Sequence, residues 1–247
     1  MERTALRRRL TWEQARVVEV LDETANVRSI LLDPPEWPGH LAGQHVDVRL
    51  TAEDGYQAQR SYSIGSAPED DHLLLTVERL DDGEVSPYLA GELRPGDDLE
   101  LRGPIGGYFV WKESLGGPLL LIAGGSGIVP LRAMLRHREA VGSNVPVRLL
   151  YSSRSLEEVI YREELEHAAA EHDADVRFTL TRSRPEGWHS YDRRIDRELL
   201  AEVAWPVADD PLVYICGPTG FVETAAGSLV DLGHDARRIR TERFGPS

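Results

Sequence analysis

An antiparallel β-barrel followed by a doubly wound parallel α/β sheet is the fold class that the 247-residue sequence predicts. Two observations carry it. From about residue 10 to 110, short stretches of apolar alternation are separated by turn signals, with one helix among them. After Gly116-Gly117-Pro118 a continuous apolar run opens a regular alternation of strands and helices. The division falls at 1–114 and 115–247.

In the first half, "ARVVEVLDE", "VRSILLDP", "QHVDVRLTA", "QRSYSIGSA", "HLLLTVERL" and "DDLELRGPI" read as strands. Pro34-Pro35, Pro38-Gly39, Asp54-Gly55, Asp82-Gly83 and Pro95-Gly96 punctuate them. Short strands without a strong helix between most of them pack as an antiparallel barrel or sandwich. "SPYLAGEL", 86–93, predicts a short helix, with Ser86 as its cap and Pro87 in its first turn. In the second half "PLLLIAG" has the continuous apolar character of a strand covered on both faces. Helical "IVPLRAMLRHREAVG", strand "PVRLLYSS", helical "LEEVIYREELEHAAAEH" and strand "DVRFTLT" follow. A helix near "DRELLAEVA", strand "PLVYICG", helix "GFVETAAGSLVDLG" and a last strand "RRIRTERF" complete the alternation.

Composition excludes several function classes. The net charge of −14 disfavours nucleic-acid binding, which relies on Lys and Arg to neutralise phosphates. No apolar run approaches the roughly 20 residues needed to cross a bilayer, and no apolar segment of a secretory signal follows "MERTALRRRL". Arg3, Arg7, Arg8 and Arg9 make a local basic end, either a solvated tail or a docking arm for an acidic partner. The single cysteine, Cys216, can form neither an internal disulfide nor a thiolate-ligated iron–sulfur cluster. That fits a reducing, cytoplasmic compartment and an organic redox centre. No metal site is expected: His137, His167 and His172 lie along predicted solvated helices without H-E-x-x-H spacing. No G-x-S-x-G nucleophile elbow is present either.

Three motifs carry chemistry. In "AGGSGIVPL", Gly124, Gly125 and Gly127 stand where a strand turns into a helix, so backbone N–H groups can approach a pyrophosphate closely. Pro130 fits the first helical turn. The spacing is neither G-x-G-x-x-G nor a Walker loop, and a tight strand–helix turn is the plainer alternative. "YICGPTGF" repeats the device at a later strand end. It puts Cys216, Gly217 and Pro218 at the carboxyl edge of the sheet, where ligands collect. In "RSYS", Arg60 and Tyr62 project to one face, Ser61 and Ser63 to the other. An arginine fork, a flat ring and a hydroxyl describe a flavin nucleotide, although an ordinary amphipathic strand has the same pattern.

"RSYS", "GGSGIVP" and "CGPTGF", in this order on a barrel-then-α/β layout, resemble the ferredoxin–NADP reductase superfamily from about residue 12 to the end. "HLAGQHVDVRLTAEDGYQAQRSYSIGSAP" is most similar to its stand-alone bacterial flavoproteins. The resemblance implies FAD, rather than FMN, on the barrel. Arg60 would pair with the flavin pyrophosphate, Tyr62 would lie against the isoalloxazine, and Ser63 would approach its N5. Ser61 belongs to the same motif. "DGEVSPYL" resembles a second flavin segment, with Gly83, Val85 and Ser86 on the pyrophosphate. Gly124, Gly125 and Gly127 would cradle the nicotinamide dinucleotide, and Cys216 would lie near its ring. Ser153 and Arg154 stand where the family reads the adenosine ribose, and Thr181 and Arg182, at the third strand's end, could add to that contact. An arginine there favours NADP(H) over NAD(H). Glu242 and Phe244 resemble the carboxylate and C-terminal aromatic that plant-type members set beside the flavin, although Gly245, Pro246 and Ser247 follow here.

The implied activity is electron transfer from NADPH through FAD to an external redox protein. That acceptor is a ferredoxin, an oxygenase component, or a molybdenum or haem enzyme. A strongly acidic ferredoxin suits this acidic chain only through a local basic patch. A non-catalytic flavin- and nucleotide-binding subunit of a larger complex is the rival reading, against which Cys216 argues.

Overall fold

Alternation in the first hundred residues gives each strand one apolar face, and the strands close around those faces. The computed structural model describes residues 10–171 and 174–245. The basic end with Arg3, Arg7, Arg8 and Arg9 lies outside the described residues, as do His172, Pro246 and Ser247. Strands β1 (Glu13–Thr24), β2 (Val27–Asp33), β3 (His45–Thr51), β4 (Gln57–Ser63), β5 (Leu73–Glu78) and β6 (Asp98–Ile105) form one antiparallel sheet. Its order is β4-β3-β6-β1-β2-β5, and a bridge between Ile64 and Leu75 joins its two ends into a barrel. Val17, Ile30, Val46, Val48, Leu75 and Leu101 fill the interior. Helix α1 (Ser86–Gly91) adds Leu89 to that core.

Ser86 does not cap α1. The helix begins at Ser86 itself, Val85 is the flanking residue, and no side chain caps it. The Ser86 hydroxyl instead accepts the Leu80 backbone N–H at 3.1 Å, tying the preceding turn to the helix.

The second sheet is parallel, in the order β11-β10-β7-β8-β9. It contains β7 (Leu119–Gly124), β8 (Val147–Ser153), β9 (Asp175–Leu180), β10 (Leu212–Pro218) and β11 (Ile239–Phe244). All six residues of β7 are buried, as its unbroken apolar run requires. Leu119, Leu121 and Ala123 face a layer with α2 (Ile128–Ala140) and α3 (Arg162–Ala170). Leu120 and Ile122 face α4 (Arg197–Val203) and α5 (Thr219–Asp231). Successive strands step outward from β7 to β9 and then restart at β10, so the strand order reverses between β7 and β10. An open α/β sheet presents its ligand crevice at that point.

One stretch departs from its helical pattern. "LEEVIYREELEHAAAEH" forms a short 3₁₀ turn at Leu156–Glu158, and α3 begins only at Arg162. Between them Tyr161 takes a left-handed conformation, φ 58°. Tertiary contact overrides the helical period here. The Tyr161 hydroxyl donates to Thr76 in the barrel, and its ring lies under the Arg132 guanidinium at 4.4 Å. Arg132, nearly buried on α2, donates to the Gly65 carbonyl at 2.9 Å and to Glu164 at 2.7 Å. Thr76 in turn shares a hydrogen bond with Ser29 at 2.8 Å. Gly65 is needed for close approach: a Cβ there would stand 3.1 Å from the Tyr161 hydroxyl and 3.3 Å from Val129. The apolar core is continuous across the same boundary, with Val27, Leu74 and Trp111 packed into the cluster around α2.

Arg132→Met keeps the apolar stem but leaves the Gly65 carbonyl and Glu164 without their donor. It should lower stability by about 2 kcal/mol, read from urea unfolding, and separate the melting of the two sheets.

Candidate functional site

Strand β4 sets out its side chains by simple alternation. It pairs antiparallel with β3, matching Tyr62 to Val46, Arg60 to Val48, Ser61 to Asp47 and Ser63 to His45. Arg60 and Tyr62 therefore share a face with Ala58, and Ser61 shares the other with Ser63. Tyr62 packs on the barrel core, and burial pushes its phenol up to about 12, so it presents a neutral ring. Arg60 Nη2 donates to Glu84 at 2.6 Å, and the Tyr56 hydroxyl donates to the same carboxylate at 2.6 Å. Those two donors hold the Glu84 carboxyl below its usual range. Ser61 is committed elsewhere: its hydroxyl donates to Asp47 at 2.7 Å, and Asp47 is gripped by Arg102 at 2.6 Å.

The turn before α1 closes tightly. Gly83 N–H donates to the Leu80 carbonyl at 2.9 Å, and a Cβ on Gly83 would lie 2.8 Å from the Ser86 hydroxyl. Val85 is wholly buried in the barrel core. Beyond Arg60, toward the start of β4, an open groove of about 530 Å³ is lined by residues including Arg49, Tyr56, Ala58, Glu84 and Tyr88.

At the reversal point, the ends of β7 and β10 meet backbone to backbone. A Cβ on Gly127 would collide with the Cys216 carbonyl, and one on Gly217 would stand 3.2 Å from Gly124 Cα. A Cβ on Gly124 would stand 3.0 Å from the Phe221 ring. Three of these glycines therefore serve the protein's own packing. Gly125 differs: its φ is +54°, and nothing lies within 4 Å of its Cβ position, so it is the backbone conformation and not packing that calls for glycine there. Pro130 is buried in the first turn of α2.

Cys216 pairs in register with Ala123 on one side and Glu242 on the other. It is 1% exposed. Burial, helped by the neighbouring Glu242, pushes its thiol well up, so it stays protonated. Burial also raises the Glu242 carboxyl to about 7. Glu242 Oε1 lies 3.8 Å from His45 Nδ1, while its Oε2 is buried without a hydrogen-bond partner. His45 is pushed down by burial and is neutral near pH 7. The barrel thus brings His45, the cross-strand partner of Ser63, to Glu242, the cross-strand partner of Cys216. His45 escapes sequence reasoning because only strand register sets it opposite Ser63. Phe244 pairs with Pro218 and packs partly buried against the core that contains Cys216.

Ser153, Arg154, Thr181 and Arg182 stand together. The Ser153 carbonyl accepts the Thr181 N–H at 3.0 Å, and the Arg154 carbonyl accepts the Arg182 N–H at 2.9 Å. Arg154 pairs with Glu158 at 2.8 Å and more loosely with Glu78 at 3.4 Å. His137 is half-buried rather than solvated, paired with Glu69 at 2.9 Å and set edge-on to Trp111. Among the described residues, no cluster of His, Cys, Asp and Glu could hold a metal, and no helix is long and apolar enough to cross a membrane.

Comparison with known proteins bears on both halves. Residues 15–110 match the family described as oxidoreductase FAD-binding domain, and residues 121–227 match oxidoreductase NAD-binding domain. The chain is 34% identical to ferredoxin–NADP reductase B of Sorangium cellulosum, over 94% of this chain and 97% of that protein. It is 31% identical to the glycine betaine monooxygenase reductase subunit of Pseudomonas aeruginosa, over 96% of this chain. It spans only 66% of that relative's length. Among solved structures, the flavohem-like FAD/NAD-binding domain of nitric oxide dioxygenase from Vibrio cholerae superposes with a TM-score of 0.84 at 28% identity. That match covers 95% of this chain and 99% of that one.

Because burial raises the Glu242 carboxyl, its ionisation opposes folding. The penalty is absent below the ordinary carboxyl range, grows as pH rises toward 7, and is full above it. Glu242→Gln should match the parent near pH 4.5 and exceed it at pH 8 by about 2 kcal/mol, measured by denaturant unfolding across pH.

Proposed function

The chain belongs to the ferredoxin–NADP reductase-like family of FAD- and NAD-binding oxidoreductases, and on that premise we propose that it reduces FAD with NAD(P)H and passes the electrons to an external redox protein. The observation that carries this reading is the approach of His45, paired with Ser63 in the barrel, to Glu242, paired with Cys216 in the second sheet. Two domains, 1–114 for the flavin and 115–247 for the nucleotide, follow from it.

The residues present fit a flavin dinucleotide laid along β4. At roughly 3.3 Å per residue, the strand offers about 20 Å of continuous support. Tyr62 and Ser63 would hold the ring, with the Ser63 hydroxyl on N5. Arg60 and the turn of Gly83, Val85 and Ser86 would hold the diphosphate. The groove past Ala58 suits an adenosine, which supports FAD over FMN. Arg60 must leave Glu84 to bind phosphate; that pair is exposed, and a diphosphate carries more charge. Ser61, bound to Asp47, keeps the register of β4. When bound, the flavin accepts a hydride and can release electrons singly.

The chain's own groups suit that chemistry. Gly125 opens its backbone to a dinucleotide pyrophosphate at the start of α2, beside Gly124 and Gly127. Gly217 and Pro218 would shape the opposite wall, and Phe244, in register with Pro218, would stand beside it. Cys216 is small, buried and uncharged, so it excludes water without repelling a nicotinamide. The partnerless Glu242 oxygen and the neutral His45 imidazole supply a proton acceptor and donor pair next to Ser63. Close approach and alignment then supply much of the rate.

Arg154 and Arg182, with Ser153 and Thr181 on adjacent strand ends, support NADP(H) over NAD(H). The electron acceptor is a ferredoxin, an oxygenase component, or a molybdenum or haem enzyme. The relatives named as an oxygenase reductase subunit and a ferredoxin reductase support the first two. The single cysteine, buried and free, suits the cytoplasm.

Anaerobic titration of the flavin-loaded protein tests the reading. Absorbance should bleach at lower NADPH than NADH, and Ser63→Ala should slow reduction roughly tenfold. Arg60→Ala should weaken FAD binding. A yellow protein that neither nucleotide bleaches would instead be a binding subunit.

A further inference from the structure

We propose that Glu78, a residue of the barrel, sets how well the nucleotide site accepts a 2′-phosphate. The inference rests on the reading of Arg154 as the arginine at the ribose end. Glu78 is the last residue of β5, yet its carboxylate reaches across to the second sheet. Its Oε2 accepts the Ser126 hydroxyl at 2.9 Å, and its Oε1 accepts Arg154 Nη2 at 3.4 Å. Ser126 lies in the glycine turn between β7 and α2, and Arg154 follows β8 directly. Those strands are neighbours, with Gly124 in register with Ser152. One carboxylate therefore spans the pyrophosphate turn and the ribose-facing arginine.

The charges make this consequential. Arg154 is also held by Glu158 at 2.8 Å, so two carboxylates share its one guanidinium and offset its charge. A 2′-phosphate reaching Arg154 must displace Glu78 and lie beside its charge. A free 2′-hydroxyl meets no such opposition and can donate to that carboxylate. In dinucleotide-binding folds an acidic side chain on the ribose commonly plays this part. Here the second sheet places an arginine at that position, and the carboxylate comes from the barrel instead. Glu78 thus narrows the preference for NADP(H) that Arg154 and Arg182 create. The Glu78 side chain is 28% exposed against 48% for Arg154, so it is the better fixed of the two.

Calorimetric binding of 2′,5′-ADP and 5′-ADP to the flavin-loaded protein tests this without turnover. Glu78→Gln should tighten 2′,5′-ADP by about three- to tenfold and change 5′-ADP by less than about twofold. The gain should shrink in an Arg154→Ala background, where no guanidinium is released and only the repulsion by Glu78 is relieved. Glu78→Ala carries the same expectation if Glu78→Gln does not fold. Equal effects on both ligands, or weaker binding of 2′,5′-ADP, overturn the proposal. If the parent protein binds neither ligand, the nucleotide-site reading itself fails and takes the inference with it.

Discussion

The site exists because a buried polar bridge fixes one sheet against the other. Arg132 reaches from α2 to the Gly65 carbonyl, while Tyr161 reaches from the start of α3 to Thr76. The guanidinium lies over the phenol ring, so the two contacts support one another. Apolar packing alone is non-directional and would allow the sheets to slide. Directional hydrogen bonds to defined barrel atoms remove that freedom. They hold His45 of the barrel beside Glu242 of β11, an approach of the two sheets that the proposed hydride transfer would use. The left-handed Tyr161 is part of that arrangement, a local strain held by its surroundings.

Charge is distributed unevenly along the cleft. At the junction, burial keeps the Tyr62 phenol and the Cys216 thiol neutral. Glu242 titrates near 7, and His45 is uncharged at neutral pH. Farther out, Arg60 and Arg154 are charged and each is paired to carboxylates. A weakly charged centre between two ionic ends suits a ligand pair whose reacting rings are uncharged or nearly so and whose phosphates are anionic.

Much of this was legible in the sequence. The barrel strands follow from alternation, and β7 follows from an unbroken apolar run that only double-sided cover explains. The turns at "GGSGIVP" and "CGPTGF" could be placed at strand ends because the pattern changes period there. What escaped depends on contacts distant in the chain. The break before α3 answers to Thr76, some 85 residues away. Gly127 reads as a ligand glycine, but its lack of a Cβ is first required by the Cys216 carbonyl. His45 gains its meaning from register, and Glu78 and Glu84 from folding across gaps that periodicity does not see.

The carboxylates already seated on Arg60 and Arg154 change how these sites answer to ionic strength. An open arginine that captures a phosphate loses affinity as salt screens the attraction. Here the same screening also loosens the internal pair that a phosphate in the proposed site would replace. Binding there would be an exchange of one anion for another, and salt would weaken both sides of it. With Arg60 and Arg154 in their proposed roles, nucleotide and flavin affinities would be buffered against changes in the surrounding electrolyte, at the cost of a lower maximum affinity in dilute solution.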